Sequence, residues 1–159
     1  MFLRSIAVAL ALGMSAGAAA AQPSAPPYGA PISLDMAKKV MAAAEAEAGK
    51  NSWPVVIAII DSGGNLVMLH RLDNAQLAAN DLAIGKARTS LSFRRPSKAL
   101  EDAVAGGGAG LRLLALNVTP IEGGLPLIVD GKIVGAVGVA GGLGVQDSQI
   151  AKAGADAAR

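Results

Sequence analysis

The chain of 159 residues contains no cysteine. Disulfides and thiolate metal sites are therefore excluded, and stability has to come from packing or from oligomerisation. Aromatic residues make up only 3%, and the charges nearly cancel, with 14 Lys and Arg against 12 Asp and Glu. A nucleic-acid binder needs a basic surface and stacking groups, and this chain lacks both. Histidine occurs once, as His70. One imidazole and scattered carboxylates fall short of a nitrogen and sulfur metal site. Ser62 and Ser90 sit in no nucleophile-elbow context, so a hydrolase triad is excluded as well.

The first 21 residues, MFLRSIAVALALGMSAGAAAA, have the layout of a secretory signal peptide: basic Arg4, an apolar run from Ile6, and small residues ending in Ala19-x-Ala21. Cleavage is expected after Ala21. The apolar run is too short and too rich in Ala and Gly for a membrane anchor, so the mature protein is expected to be periplasmic or secreted and free of the membrane. Residues 22–32 carry four prolines and read as a disordered, extended arm. Residues 33–159 are enough for one domain with a core of its own and too few for two.

Within that domain, Ser33 can cap a helix from about Leu34 to Ala48, with Val40, Met41 and Ala44 on its apolar face. Two β-rich runs follow, Val55 to Asp61 and Leu66 to Leu72, joined by Ser62-Gly63-Gly64-Asn65 as a hairpin. The first run is apolar on both faces, which calls for helices on one side of the sheet and suggests a second subunit for the other. Simple alternation places Leu66, Met68, His70 and Leu72 on one face of the second run, and Val67, Leu69 and Arg71 on the opposite one.

Gln76 to Phe93 has helical spacing of Ala79, Leu82, Ala83, Ala87 and Leu91, and Ser97 can start a short helix to about Val104. Ala105 to Gly110, AGGGAG, reads as a flexible linker or a loop over a site. A second hairpin, LPLIVDGKIVGAVGV, turns at Asp130-Gly131, and a last helix starts near Asp147 as its N-cap. The order α-β-β-α-α-β-β-α has no crossover pattern of a parallel sheet, so the fold class is α+β with an antiparallel sheet.

The strand, glycine-rich loop and helix from Lys132 to Ala151 resemble the start of a nucleotide site in outline only. No lysine and hydroxyl follow the glycines as a phosphate loop requires, and Gly142-x-Gly144 lacks the third glycine of the dinucleotide fingerprint. Gly135, Gly138 and Gly141 instead mark a strand that something approaches closely, whether a helix, a neighbouring subunit or a flat ligand.

Four stretches in order, RLDNA at Arg71–Ala75, AIGKARTS at Ala83–Ser90, EGGLPLIVDGKIVGAVGVAGG at Glu122–Gly142, and Asp147, closely resemble the GlcG/HbpS-like haem-binding family, related to the C-terminal domain of PduO-type proteins. The resemblance spans roughly Leu34 to Ala158. It implies a five-stranded antiparallel sheet flanked by helices in a profilin-like or PAS-like layout, assembly into homo-oligomers from dimers to octamers, and haem as a cofactor, stored, sensed or degraded. The N-terminal helix, which supplies a ligand histidine in some relatives, has none here.

Haem needs an axial donor and cations for its two carboxylates. His70, beside Met68, is the candidate axial ligand, and Arg71, Lys86 and Arg88 are the candidate cations. Lys86 lies against the apolar stripe of its helix, where it either contacts a ligand or snorkels to water. Glu122 is either a site carboxylate or a turn residue. Asp73 reads as the partner in an ion pair at the strand exit. Three readings result: an exported haem-binding protein, an enzyme or sensor for a small carboxylated metabolite without iron, and a structural oligomer.

Overall fold

A computed structural model describes residues 24–159, so the segment read as a signal peptide lies outside the described residues. In chain order the elements are α1 (Leu34–Lys50), β1 (Val56–Asp61), β2 (Leu66–Arg71), α2 (Ala79–Phe93), α3 (Lys98–Ala105), a 3-10 helix (Gly108–Ala115), β3 (Gly124–Val129), β4 (Lys132–Ala140) and α4 (Gly144–Asp156). Ser33 caps α1 as expected, its hydroxyl accepting from the Met36 N–H at 3.2 Å. Helix α2 begins at Ala79, three residues later than its periodicity predicts, after a turn closed by the Ala79 N–H on Gln76 O at 3.1 Å. Part of the expected linker is ordered as the 3-10 helix, entered through positive φ at Gly107 (70°) and Gly108 (55°).

The strands form one antiparallel sheet in the order β2-β1-β4-β3. The expectation of five strands is thus corrected to four among the described residues. The proline-rich arm lies beside the start of β4, before the pairing with β1 begins at Gly135, and prolines cannot donate to a ladder. Its pairing is a single parallel bridge, Tyr28 to Ile133. The composition predicts disorder for this arm, but the described part is docked: Gly29 N–H donates to Ile133 O, Ile133 N–H to Pro27 O and Ile32 N–H to Val134 O, each at 2.8 Å. At the other hairpin, Asp130 (φ 49°) and Gly131 (φ 73°) both take the positive φ that a type I′ turn needs.

Both faces of the sheet are covered by helices of the same chain, so β1 needs no second subunit to bury it. Ile57, Ile59, Leu127, Val137 and Val139 pack with α1 and α4 on one face. On the other face, Val56, Ala58, Ile60, Ala136 and Ala140 pack under α2. The second interface is built from small residues on both sides, with Ala79, Ala83 and Ala87 on the helix. Gly138 is the tightest point: a Cβ there would lie 2.0 Å from Ala83 O and 2.6 Å from Ala87 N. Of the three occupants weighed for the glycine strand, it is therefore a packed helix that requires Gly138.

Strand β2 carries one irregularity that changes the reading of its faces. Ile59 pairs with Met68 but Ile60 pairs with Leu66, leaving Val67 as a bulge. Met68 and His70 consequently share the face of Ile59 and Ile57, towards α1, whereas Leu66, Leu69 and Arg71 share the α2 face. Simple alternation had Leu66 on the wrong side.

Gly138→Ala should destabilise the protein by about 1–3 kcal/mol or more through overpacking against the α2 backbone. The urea midpoint of unfolding measures it, and an unchanged midpoint would show that α2 can move away freely.

Candidate functional site

Three of the four family-like stretches, those holding Lys86, Gly123 to Gly142, and Asp147, meet in space around one buried ion pair. Lys86, on α2, is 2% exposed, and its Nζ donates to Asp147 Oδ2 at 2.7 Å and to Val139 O at 2.9 Å. Asp147, also 2% exposed, uses its other oxygen to accept the Gly142 N–H at 2.9 Å. The pair joins a helix on one face of the sheet to a helix on the other, at the end where β3 starts and β4 finishes. Gly123 and Gly124 leave the passage open. A Cβ on Gly123 would lie 3.0 Å from Lys86 Nζ and 2.8 Å from Asp147 Cβ, and one on Gly124 would lie 2.2 Å from Lys86 O.

This corrects the reading of Asp147 as an N-cap. Helix α4 starts at Gly144 after Leu143, and it is Gln146 whose side chain accepts the Leu143 N–H at 2.9 Å. The sequence did contain a signal for the pair: a lysine on an apolar stripe cannot be buried without an anionic partner. With Nζ bound by Asp147 and the Val139 carbonyl in the interior, Lys86 does not snorkel to water.

The remaining candidates separate. His70 is half exposed on the α1 face, and its Nδ1 lies 2.6 Å from Glu45 Oε1. Arg71 is on the opposite face, its Nη2 donating to Ala75 O at 2.6 Å. No ion pair joins Arg71 to Asp73 among the described residues; the backbone carbonyl of Ala75 takes that place. Arg88 is exposed on α2 and lines two hollows that hold neither His70 nor Glu122. Glu122 is half buried at the start of α4, close to Gly144, with its N–H donating to Glu101 Oε2 at 2.6 Å. His70, Arg71, Lys86, Arg88 and Glu122 thus do not form one site. Sequence reasoning missed Glu45 as the partner of His70, and Asn117, Thr119 and Tyr28 beside Arg88; nothing in the order of residues announces these contacts.

A haem fits these groups in part: a carboxylate on Nδ1 orients an imidazole and leaves Nε2 for a metal. On the same face, two residues along from His70, Leu72 lines a hollow of about 300 Å³ with Ala48, Trp53 and Pro54, and the polar Ser52, Asp73 and Asn74 share its wall. The cations do not fit, because Lys86 is engaged in the core and Arg71 and Arg88 belong to the other face.

The family model described as "Haem degrading protein HbpS-like" matches residues 32–156. The chain belongs to this HbpS-like family. Protein GlcG of Escherichia coli K12 is 44% identical over 108 residues, which cover 68% of this chain and 80% of GlcG. Two solved structures share the fold. A "PduOC:Heme Complex" is 31% identical with a TM-score of 0.73, covering 80% of this chain and 94% of that one. A double mutant of HbpS from Streptomyces reticuli is 31% identical with a TM-score of 0.73, covering 89% and 97%. In this HbpS-like chain, Gly123 and Gly124 frame the Lys86–Asp147 pair.

Lys86→Met should cost about 3–5 kcal/mol, because Asp147 is left as an uncompensated buried charge. Adding Asp147→Asn keeps an acceptor for the Gly142 amide and removes that charge, so the double variant should be more stable than Lys86→Met alone. Chemical denaturation of both variants checks the order.

Proposed function

We propose that this HbpS-like chain binds haem outside the cytoplasm, with His70 as the axial donor oriented by Glu45. The observation that carries this reading is the 2.6 Å contact between His70 Nδ1 and Glu45 on a half-exposed strand face. The haem complex of the related PduOC structure supports it, as does the nearby hollow whose wall includes Trp53, Pro54 and Leu72. A bound haem would supply the iron and the redox or oxygen chemistry, and the chain's part is to hold the ring and fix the donor tautomer. Storage, sensing and degradation all begin with this step.

Export and self-association belong to the same proposal. The signal-like segment of residues 1–21 supports export. For association, the support is the 3-10 helix, which buries none of its residues and leaves Leu111 and Leu114 more than half exposed, with Leu116 beside them. The mature chain, recovered from the periplasm beginning at Gln22, should sediment as an oligomer that Leu111→Ser with Leu114→Ser dissociates.

Haemin titration of residues 22–159 tests the central claim. A Soret shift is expected, lost in His70→Ala and weakened about 10–100-fold in Glu45→Gln. An unchanged spectrum and affinity in His70→Ala would overturn the assignment of the donor.

A further inference from the structure

On the α2 face, two adjoining hollows of about 410 and 360 Å³ share Arg88 and Asn117 as walls. Among the described residues Arg88 has no carboxylate partner and donates to no carbonyl, unlike Arg71, which is held by Ala75 O, and Arg95, which donates to Phe93 O. An unpaired guanidinium in a concave, partly walled space is a ready receptor for a planar carboxylate, which it can meet with two parallel N–H donors. Asn117, Ser62 and Thr119 place an amide and two hydroxyls around the same space.

The walls are held independently of any ligand. The Thr119 N–H donates to Thr89 Oγ1 at 2.8 Å. Gly85 lets this segment close on α2, since a Cβ there would lie 2.2 Å from Thr119 Oγ1. On the other side, the Tyr28 hydroxyl from the docked arm donates to Leu91 O at 2.8 Å, and the Arg94 guanidinium lies 5.8 Å from the Tyr28 ring centre. A site held in this way loses little freedom on binding.

Local charge selects among anions. Asp81 lines the smaller hollow, and the carbonyl end of α2 borders the larger one. Both repel any anion, a dianion about twice as strongly as a monoanion, so among carboxylates the single charge is the better match to one guanidinium. Asp61, in the adjoining turn, is already satisfied: the Asn65 amide chiefly, with Gly63, holds its carboxyl below the usual range.

We infer that the Arg88 cleft is a binding site for a small monocarboxylate, separate from the haem proposed on the opposite face of the sheet. The probes are acetate and benzoate as monoanions, with succinate and inorganic phosphate as dianions, added to the full mature protein and followed by amide NMR shifts. Saturable shifts at Arg88, Asn117 and Thr119 are expected with the monoanions, weakened at least tenfold in Arg88→Gln and in Asn117→Ala. Arg95→Gln should bind the monoanions like wild type, and thermal unfolding verifies that each variant is folded. No saturable shift with either monoanion, equal binding by Arg88→Gln, or tighter binding of phosphate or succinate would overturn the inference. So would displacement of benzoate by haemin together with loss of haemin affinity in Arg88→Gln, since the cleft would then belong to haem. If haemin fails to bind at all, only the haem reading falls.

Discussion

The fold depends on one contact that crosses it, the buried pair of Lys86 and Asp147. Helices on opposite faces of a sheet ordinarily touch only the sheet, so nothing fixes one outer layer relative to the other. Here an ammonium from α2 reaches a carboxylate on α4 around the end of the sheet and also satisfies the Val139 carbonyl. That route demands a helix close enough to the sheet for a lysine to span the distance. The small residues at Ala58, Gly138, Ala83 and Ala87 provide the close approach, and the missing side chains of Gly123 and Gly124 clear the channel. Gly138, in the stretch that resembles a phosphate loop in the linear chain, thus serves the close approach of a helix to the sheet.

Once the layers are locked, the sheet acts as a partition. The imidazole of His70 and its carboxylate partner stand on the α1 side, while Arg71 and Arg88 stand on the α2 side. A single ligand cannot use both sets, which is why the residues collected from the sequence divide between two functional readings. The α2 side also has a wall contributed by the arm, through Tyr28, so the shape of its cleft depends on the docked segment that precedes α1.

Much of this was legible in the linear chain. Ser33 before an apolar periodicity marked the start of α1, and Asp130-Gly131 marked a turn whose two positive φ angles are present. The resemblance carried by the lysine, the paired glycines and Asp147 identified the family. What was hidden shares a physical cause: it depends on partners far apart in sequence. Lys86 and Asp147 are 61 residues apart, and His70 and Glu45 are 25 apart, so local pattern could show that Lys86 was oddly placed but not what met it. The arm was misread because proline content speaks to local stiffness and not to the start of β4, which runs past the end of β1 and receives it at Ile133 and Val134. Strand alternation failed at Val67, where one residue is left out of the ladder.

That extra residue makes β2 tolerant of a change that ordinarily scrambles a half-buried strand. Loss of a residue from a regular ladder turns everything beyond it to the opposite face, whereas loss of Val67 would only close the bulge, with Leu66 still opposite Ile60 and Met68 still opposite Ile59. The imidazole would keep Glu45, and Arg71 would keep the surface that holds the arginine cleft. Within a lineage of related chains, a one-residue deletion at this point would leave the two compartments of the molecule as they are.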